Sequence, residues 1–339
     1  MATVVTSTYS NMQWRLAVLA ETAVGTAKVA SMHLIDVDAP VTISENPFRK
    51  DDPRTGVGRT IKASDVFVTE KGQIKEISFS GRADKTTFPI LAENCMGAAE
   101  ATGTIDIPFN FTGTAFEPGD VSADNLDTLT FALVQPETNL AIIFPGCIVS
   151  ELSMTMDRST NGGRMEFSCT AQTRHNPDPD ATDPTFANSN VVYSTYYSMW
   201  EFGSATGQTQ IDDGDAADDI ILAGYSLTIN SNPKFDGLGL NGIPEIYNRG
   251  VPIIDVTGSC QVKWDANTHP YRQDYADGST FDFYFTDNTT LASATVGFRC
   301  QYAKLTGDLN LTDVDDSAFI DIPFRASAST SGSILQLIV

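Results

Sequence analysis

Histidine is scarce in this chain and basic residues are few. Its 339 residues include three histidines, and 21 Lys and Arg stand against 43 Asp and Glu, a net charge of −22. His33, His175 and His269 lie in different contexts, and none has a second ligand at metal spacing. Zinc and general-base chemistry are therefore not expected. The acid excess argues against tight binding to nucleic-acid phosphates, and it favours solubility in high salt and repulsion of anions. Long apolar runs are missing as well. The most apolar early stretch, Leu16 to Leu34, is interrupted by Glu21, Gly25 and Lys28, so it reads as neither a membrane span nor a signal peptide. Folding in the cytosol that makes the chain is expected. Cys95, Cys147, Cys169, Cys260 and Cys300 are dispersed without a CxxC pair, which points to buried thiols and not to a disulfide or zinc framework. Phosphate-loop and dinucleotide motifs are lacking, and Gly203-Ser204-Ala205-Thr206-Gly207 lacks the order of a nucleophile elbow. No catalytic residue, metal or cofactor is expected.

What is present is a globular composition, 41% hydrophobic and 19% charged, in a chain long enough for roughly two domains. Period-two alternation dominates. Leu152, Met154 and Met156 alternate with Ser153, Thr155 and Asp157. After a Gly-containing turn, Met165, Phe167 and Cys169 alternate with Arg164, Glu166 and Ser168. This predicts a hairpin with one apolar and one polar face. Phe281, Phe283 and Phe285 alternate in the same way, and Ile254 to Trp264 predicts a long strand. Helical pattern is confined to Thr87–Met96 and, more weakly, Val191–Trp200. The expected fold is mainly β with short helices packed on its sheets. Acid clusters at Asp212-Asp213-Gly214-Asp215 with Asp218-Asp219, at Asp313 with Asp315-Asp316, and at Asp178, Asp180 and Asp183 lack the spacing of a calcium loop. They read as solvated loops.

Self-similarity at long period is more informative. Thr42-Ile43-Ser44-Glu45-Asn46-Pro47-Phe48 resembles Thr228-Ile229-Asn230-Ser231-Asn232-Pro233-Lys234-Phe235, and a Gly-rich stretch follows each. Ile77 to Gly81 then matches Ile254 to Gly258, and Cys147 to Leu152 matches Cys300 to Leu305. The matches fall in one order, with extra residues in the first copy around Ala98 to Asp127. The predicted organisation is a first domain over 1–175, a linker over 176–190 rich in Pro, Asp, Ala and Asn, and a second domain over 191–339. Ile-Asp-Ile-Pro-Phe occurs at 105–109 and 320–324 outside this register and reads as shared strand grammar. Ile334 to Val339 is an apolar tail, able to add a strand to a neighbouring chain or to dock on its own domain.

These residues resemble the tail tube proteins of long-tailed viruses, specifically the larger subunits built from a duplicated tube fold. Glu21-Thr22-Ala23-Val24-Gly25-Thr26 is similar to the family's opening. Gly72 to Gly97 resembles its strand–helix unit, with the helix ending at Met96-Gly97. Phe144-Pro145-Gly146-Cys147 before Leu152-Ser153-Met154-Thr155-Met156 resembles its approach to a hairpin. Leu227-Thr228-Ile229-Asn230 and Val256-Thr257-Gly258 stand in the expected places of the second half. Pro233, directly after Asn230-Ser231-Asn232, and the acidity depart from the pattern. The resemblance implies two tandem tail-tube-like β-sandwich or barrel domains flanked by helices, assembled as stacked rings around a channel for duplex DNA. It also implies a virion protein without a catalytic site, assembled in the host cytoplasm, that meets other tail proteins at the tube ends and has no membrane partner. A duplicated subunit would need three copies per ring.

Genome transit through such a channel requires a wall that does not hold phosphate. The polar strand faces therefore supply the lumen candidates: Ser153, Thr155 and Asp157, with Glu166, Ser168 and Thr170 opposite, and Asp308, Asn310 and Asp321 in the second half. These contain almost no base, Arg164 sitting at the turn end. One basic segment, Arg49, Lys50, Arg54, Arg59 and Lys62, reads either as a solvated loop balanced by Asp51 and Asp52 or, by the resemblance, as a loop contacting the next ring. Two other classes remain open from the sequence: a tail-tip adhesin or receptor-binding β-sandwich, and a polysaccharide hydrolase with paired carboxylates.

Overall fold

The computed structural model describes residues 14–23, 25–38, 40–44, 48–51, 66–69, 74–97, 104–108, 128–135, 140–157, 164–178, 184–187, 201–203, 222–236, 246–248, 254–264, 278, 280–286, 296–307, 310–314, 317–327 and 333–339. The chain is predominantly β, as the alternation predicts. A first run of strands comprises β1 (Arg15–Ala20), β2 (Met32–Ile35), β3 (Thr42–Ser44), β4 (Phe48–Asp51), β5 (Val66–Thr69) and β6 (Lys75–Arg82). It continues through the helix α1 (Thr87–Met96) into β7 (Thr104–Pro108), β8 (Leu129–Gln135), β9 (Leu140–Asp157) and β10 (Glu166–Thr173). The short β11 (Phe186–Ala187) follows. A second run holds β12 (Glu201–Gly203), β13 (Leu222–Asn230), β14 (Lys234–Asp236), β15 (Ile246–Asn248) and β16 (Asp255–Lys263). It ends with β17 (Phe281–Thr286), β18 (Gly297–Leu305), β19 (Asn310–Val314), β20 (Ser317–Ser327) and β21 (Ser333–Ile338).

Both runs have the same order of hydrogen-bonded neighbours. The first reads β1–β8–β9–β10–β6–β3 and the second β12–β17–β18–β20–β16–β13, every pair antiparallel. A separate hairpin interrupts each run at the same point, β4–β5 between β3 and β6, and β14–β15 between β13 and β16. The sequence matches sit on corresponding strands: Gly81 on β6 and Gly258 on β16, Cys147 on β9 and Cys300 on β18. Registers correspond too, since Gly81 opposes Phe167 and Gly258 opposes Phe324. The β3–β6 and β13–β16 ladders differ by a slide of two residues, which leaves every side chain on its own face. The runs are not separate in space. β9 pairs with β13 from Asp157↔Gly224 to Glu151↔Asn230, fusing them into one sheet.

Alternation explains the core. Ile77, Phe79, Phe167, Cys169, Leu152, Met154, Leu227, Ile229, Val256, Cys260, Ile322 and Phe324 all point inward with at most 5% exposure. Each large apolar side chain so buried contributes about 1.5–3 kcal/mol. All five cysteines are buried thiols, and burial pushes those of Cys147, Cys169 and Cys260 well above their ordinary range. α1 lies where its pattern predicts. The Asp84 carboxylate accepts from the Thr86 and Thr87 amides at 2.8 and 2.7 Å, supplying the missing partners of a helix start. Gly97, with φ of 70°, ends the helix by donating to the Glu93 carbonyl. No helix among the described residues is long and apolar enough to cross a membrane. Val191–Trp200 lies outside the described residues.

The apolar tail docks on its own chain. β21 pairs with β18 on one side and with β7 on the other, burying Leu335 and Leu337 completely. β7 falls within the extra residues of the first copy, so that insertion gives the tail its second partner. Within 176–190, Asp178 bridges to Ile143 and β11 runs parallel to β2.

Gly81 is crossed by the segment leading to β3. A Cβ there would lie 2.0 Å from the Asp36 carbonyl oxygen, while Arg82 N donates to that same carbonyl at 3.2 Å. Gly81→Ala must push the crossing backbone away and is expected to cost about 2 kcal/mol or more in urea denaturation. Ser80→Ala, whose neighbours are not crowded in this way, serves as the control and should stay within about 0.5 kcal/mol.

Candidate functional site

The fused sheet carries one continuous polar face, and its residues come from both runs. Ser80, Ser168, Ser153, Thr228 and Thr257 are successive registered partners across β6, β10, β9, β13 and β16, and Arg325 and Lys304 continue the row. The next row is Arg82, Glu166, Thr155, Ser226 and Ser259. On its far side Asp157, Gly224, Gln261, Asp321 and Asn310 line up. On the other flank stand Ser78, Thr170, Glu151, Asn230 and Asp255. Because strand side chains alternate, the residues between these rows form the core below.

Cross-strand hydroxyl pairs order this face. Ser78 meets Thr170 at 3.2 Å, Ser153 meets Thr228 at 2.9 Å, and Ser226 meets Ser259 at 3.0 Å. A hydroxyl pair uses one of its two donors internally and keeps a surplus of acceptor lone pairs. Gln172 donates to Glu76 at 3.2 Å, and Gln261 donates to Thr312 at 3.0 Å. The centre of the surface thus presents hydroxyls and carboxylates without a cationic donor on β10, β9 or β13. A phosphate needs donors and positive charge, so it finds little to hold along the centre.

Of the lumen candidates, Ser153, Thr155, Asp157, Glu166, Ser168, Thr170, Asn310 and Asp321 are brought onto this single face. Asp308 lies outside the described residues. The expectation of almost no base needs amending, because β6, β16, β18 and β20 add Arg82, Lys263, Lys304 and Arg325. These sit toward the flanks, and β10, β9 and β13 carry no base on the face. Carboxylates accompany the arginines: Arg325 Nε lies 2.7 Å from Asp255 Oδ1, and Arg82 Nε is 4.0 Å from Asp38 Oδ1 with Glu166 directly opposite. Burial raises the Asp38 pKa, Arg82 opposes that shift, and Glu166 and Asp36 add to it.

The hydroxyls on β6, β13 and β16 were not singled out from the sequence, although the signal was there. Glu76, Ser78, Ser80 and Arg82 alternate strictly with apolar residues and Gly81, as do Ser226, Thr228 and Asn230. The basic segment is a hairpin at its start and not only a loop: Arg49 and Lys50 lie on β4, opposite Val68 and Phe67. Arg54, Arg59 and Lys62 lie outside the described residues.

A second polar cluster is buried instead of exposed. Glu21, 2% exposed, takes hydrogen bonds on both carboxylate oxygens. Thr130 Oγ1 and Gly146 N donate to Oε1 at 2.6 and 2.9 Å, and Thr128 Oγ1 and Gly25 N (2.8 Å) donate to Oε2. The His175 imidazole packs so closely over Gly25 that a Cβ there would lie 2.1 Å from Cε1. Burial lowers the His175 pKa, the Glu21 charge opposes this, and the Lys75 charge adds to it. Among the described residues, no group of three His, Cys, Asp or Glu is placed to hold a metal. No protein-family model matches the chain, and no curated protein is significantly similar to it.

Proposed function

We propose that this chain is a structural subunit that stacks as rings into a hollow tube, the tail tube of a long-tailed virus, with the polar face lining a channel for duplex DNA. The observation that carries this reading is the continuity of that face across both runs of strands. A flat wall of acids and acceptor-rich hydroxyls suits passage of a polyanion, because each phosphate neutralised by a base would add affinity and slow transit. The repeated strand order supports the finer reading of two tandem tube domains in one chain. Three chains would then place six such domains around a ring, and closed cyclic symmetry satisfies all edges of an isolated ring. On this reading the partners are other copies of the chain, with further tail proteins at the tube ends and DNA only in passage. The β4–β5 hairpin, with Arg49 and Lys50, is the contact to an adjacent ring.

Negative-stain electron microscopy of the purified chain tests the reading. Hollow polymers built from rings of three chains are expected. Compact monomers at all concentrations, or rings of six chains, would count against it. An adhesin predicts the former result, and no feature of the face favours sugar stacking.

A further inference from the structure

We propose that His175 is an acid-operated latch: while neutral, its ring closes the Glu21 turn and holds the start of the segment joining the two runs, and on taking up a proton it leaves and frees both. The device lies within residues 21–178, so it stands whether or not the chain polymerises. Its place is set by Gly25, whose φ of 70° and missing side chain leave a niche that the imidazole fills. A Cβ on Gly25 would lie 2.1, 2.5 and 2.8 Å from Cε1, Nε2 and Nδ1. The enclosed edge of the ring is therefore the one that bears both nitrogens. Two routes tie this ring to Glu21. Gly25 itself donates to Oε2 at 2.8 Å. Along the second route His175 N donates to Thr173 Oγ1 at 3.0 Å, and Thr173 Oγ1 donates to the Pro145 carbonyl at 2.7 Å. The next amide, Gly146, then donates to Oε1 at 2.9 Å.

A proton arriving on this edge finds no acceptor on the nearby carboxylate. An ionised carboxylate offers about four lone-pair sites, and Glu21 already receives Thr128, Thr130, Gly25 and Gly146. Lys75, fully buried at the head of β6, brings a cation close to the ring, its Nζ donating to Oδ1 of the adjacent Asn176 at 3.1 Å. Glu21 and Lys75 thus balance without His175, and an imidazolium leaves one positive charge in excess at a half-buried site. Arg174 and Asp178 share the segment of His175, and Lys28 follows the turn; Asp178 and Lys28 are exposed. Cys147 on β9 stays a neutral thiol because burial pushes its pKa up, and β8 contributes the Thr130 hydroxyl. Burial, opposed by Glu21 and aided by Lys75, lowers the His175 pKa below its usual 6.5. The opened chain therefore binds the proton better. The latch is at full strength above pH 6.5 and weakens as pH falls through the lowered value. The freed stretch runs to Asp178, where two backbone bonds with Ile143, at 3.1 and 2.9 Å, are the next hold.

Hydrogen exchange read amide by amide on the full chain, corrected for the intrinsic effect of pH, tests the latch. Protection of Gly25 and Gly146 is expected to fall about tenfold or more from about pH 7.5 to about pH 5, while the Cys260 amide on β16 changes less than about twofold. His175→Phe keeps a flat ring over Gly25 and cannot take up a proton, so its Gly25 protection should stay level across the same range. His175→Gln is a second variant that does not titrate, for use where the larger ring fails to fit. Parallel losses in the wild type and in these variants would overturn the latch, because another group would then be the trigger. The unaltered chain supplies a further measurement that depends on no variant. Its His175 Cε1–H resonance should titrate in step with the loss of Gly25 protection. A ring that titrates while Gly25 stays protected would equally overturn the proposal.

Discussion

Glu21→Ala is expected to lower the free energy of unfolding by about 3–5 kcal/mol. The carboxylate organises three separate segments. It receives the Gly25 amide from its own turn, the Thr128 and Thr130 hydroxyls from the start of β8, and the Gly146 amide from the bend of β9. Gly146 adopts a φ of 64°, and in that conformation its N–H turns toward Glu21 and not into a strand ladder. Removing the acceptor leaves these donors in a site closed to solvent, each costing roughly 1–3 kcal/mol where it finds no new partner. The hydroxyls can rotate toward other acceptors, which is why the sum falls short of the full penalty. Glu21→Gln should lie between wild type and Glu21→Ala, because the amide keeps one oxygen and turns two donors toward donors. Urea denaturation of the three proteins checks the order. A loss under about 1 kcal/mol for Glu21→Ala would show that the neighbouring segments close without it. Glu151→Gln, at an exposed carboxylate, is the control and should change little.

Glu21 also shows where sequence reading stops. The Glu-Thr-x-x-Gly-Thr pattern marked the residue, but its four donors come from positions up to 125 residues away. Local alternation carries no information about such distant partners. By contrast, the β9–β10 hairpin was legible: Leu152, Met154 and Met156 are buried, Ser153, Thr155 and Asp157 are not, β9 ends at Asp157 and β10 begins at Glu166. α1 was legible for the same reason, since its apolar spacing and its terminal Gly97 are local. The ordered repeat anticipated the corresponding strands β6 and β16. It did not anticipate that β9 and β13 pair, because a strand's free edge leaves no trace in its side-chain pattern. That pairing turns two separate polar hairpin faces into one. It also explains why the site as read from sequence held the residues of β9 and β10 with Asp308, Asn310 and Asp321, and not those of β6, β13 and β16. The tail Ile334–Val339 left two readings open for a related reason: apolar alternation predicts a strand but not whose sheet receives it.

Replacing Glu151 and Asp157 with lysine is expected to slow DNA ejection markedly, by tenfold or more at low salt, while rings and tubes still assemble. Both residues lie on β9, at the two ends of its ladder with β13 on the polar face, and the flanking strands β10 and β13 carry no base there. The double substitution moves the charge of each chain by four units and turns an acidic stripe into a basic one. Glu166 is left in place because it stands opposite Arg82 and offsets its charge; a lysine there would set two cations against each other and disturb the sheet. Every added lysine that meets a phosphate releases counterions, so retardation should weaken steeply as salt rises. At physiological ionic strength the screening length is about 8 Å, so the effect requires DNA to come close to the wall. The wild-type face, with no base on β10, β9 or β13, should show almost no salt dependence of ejection. Ejection kinetics from particles carrying each tube, measured across a salt series, separate the cases. Unchanged kinetics with intact tubes would place β9 away from the channel. Slow ejection that persists at high salt would point to a distorted tube and not to phosphate binding.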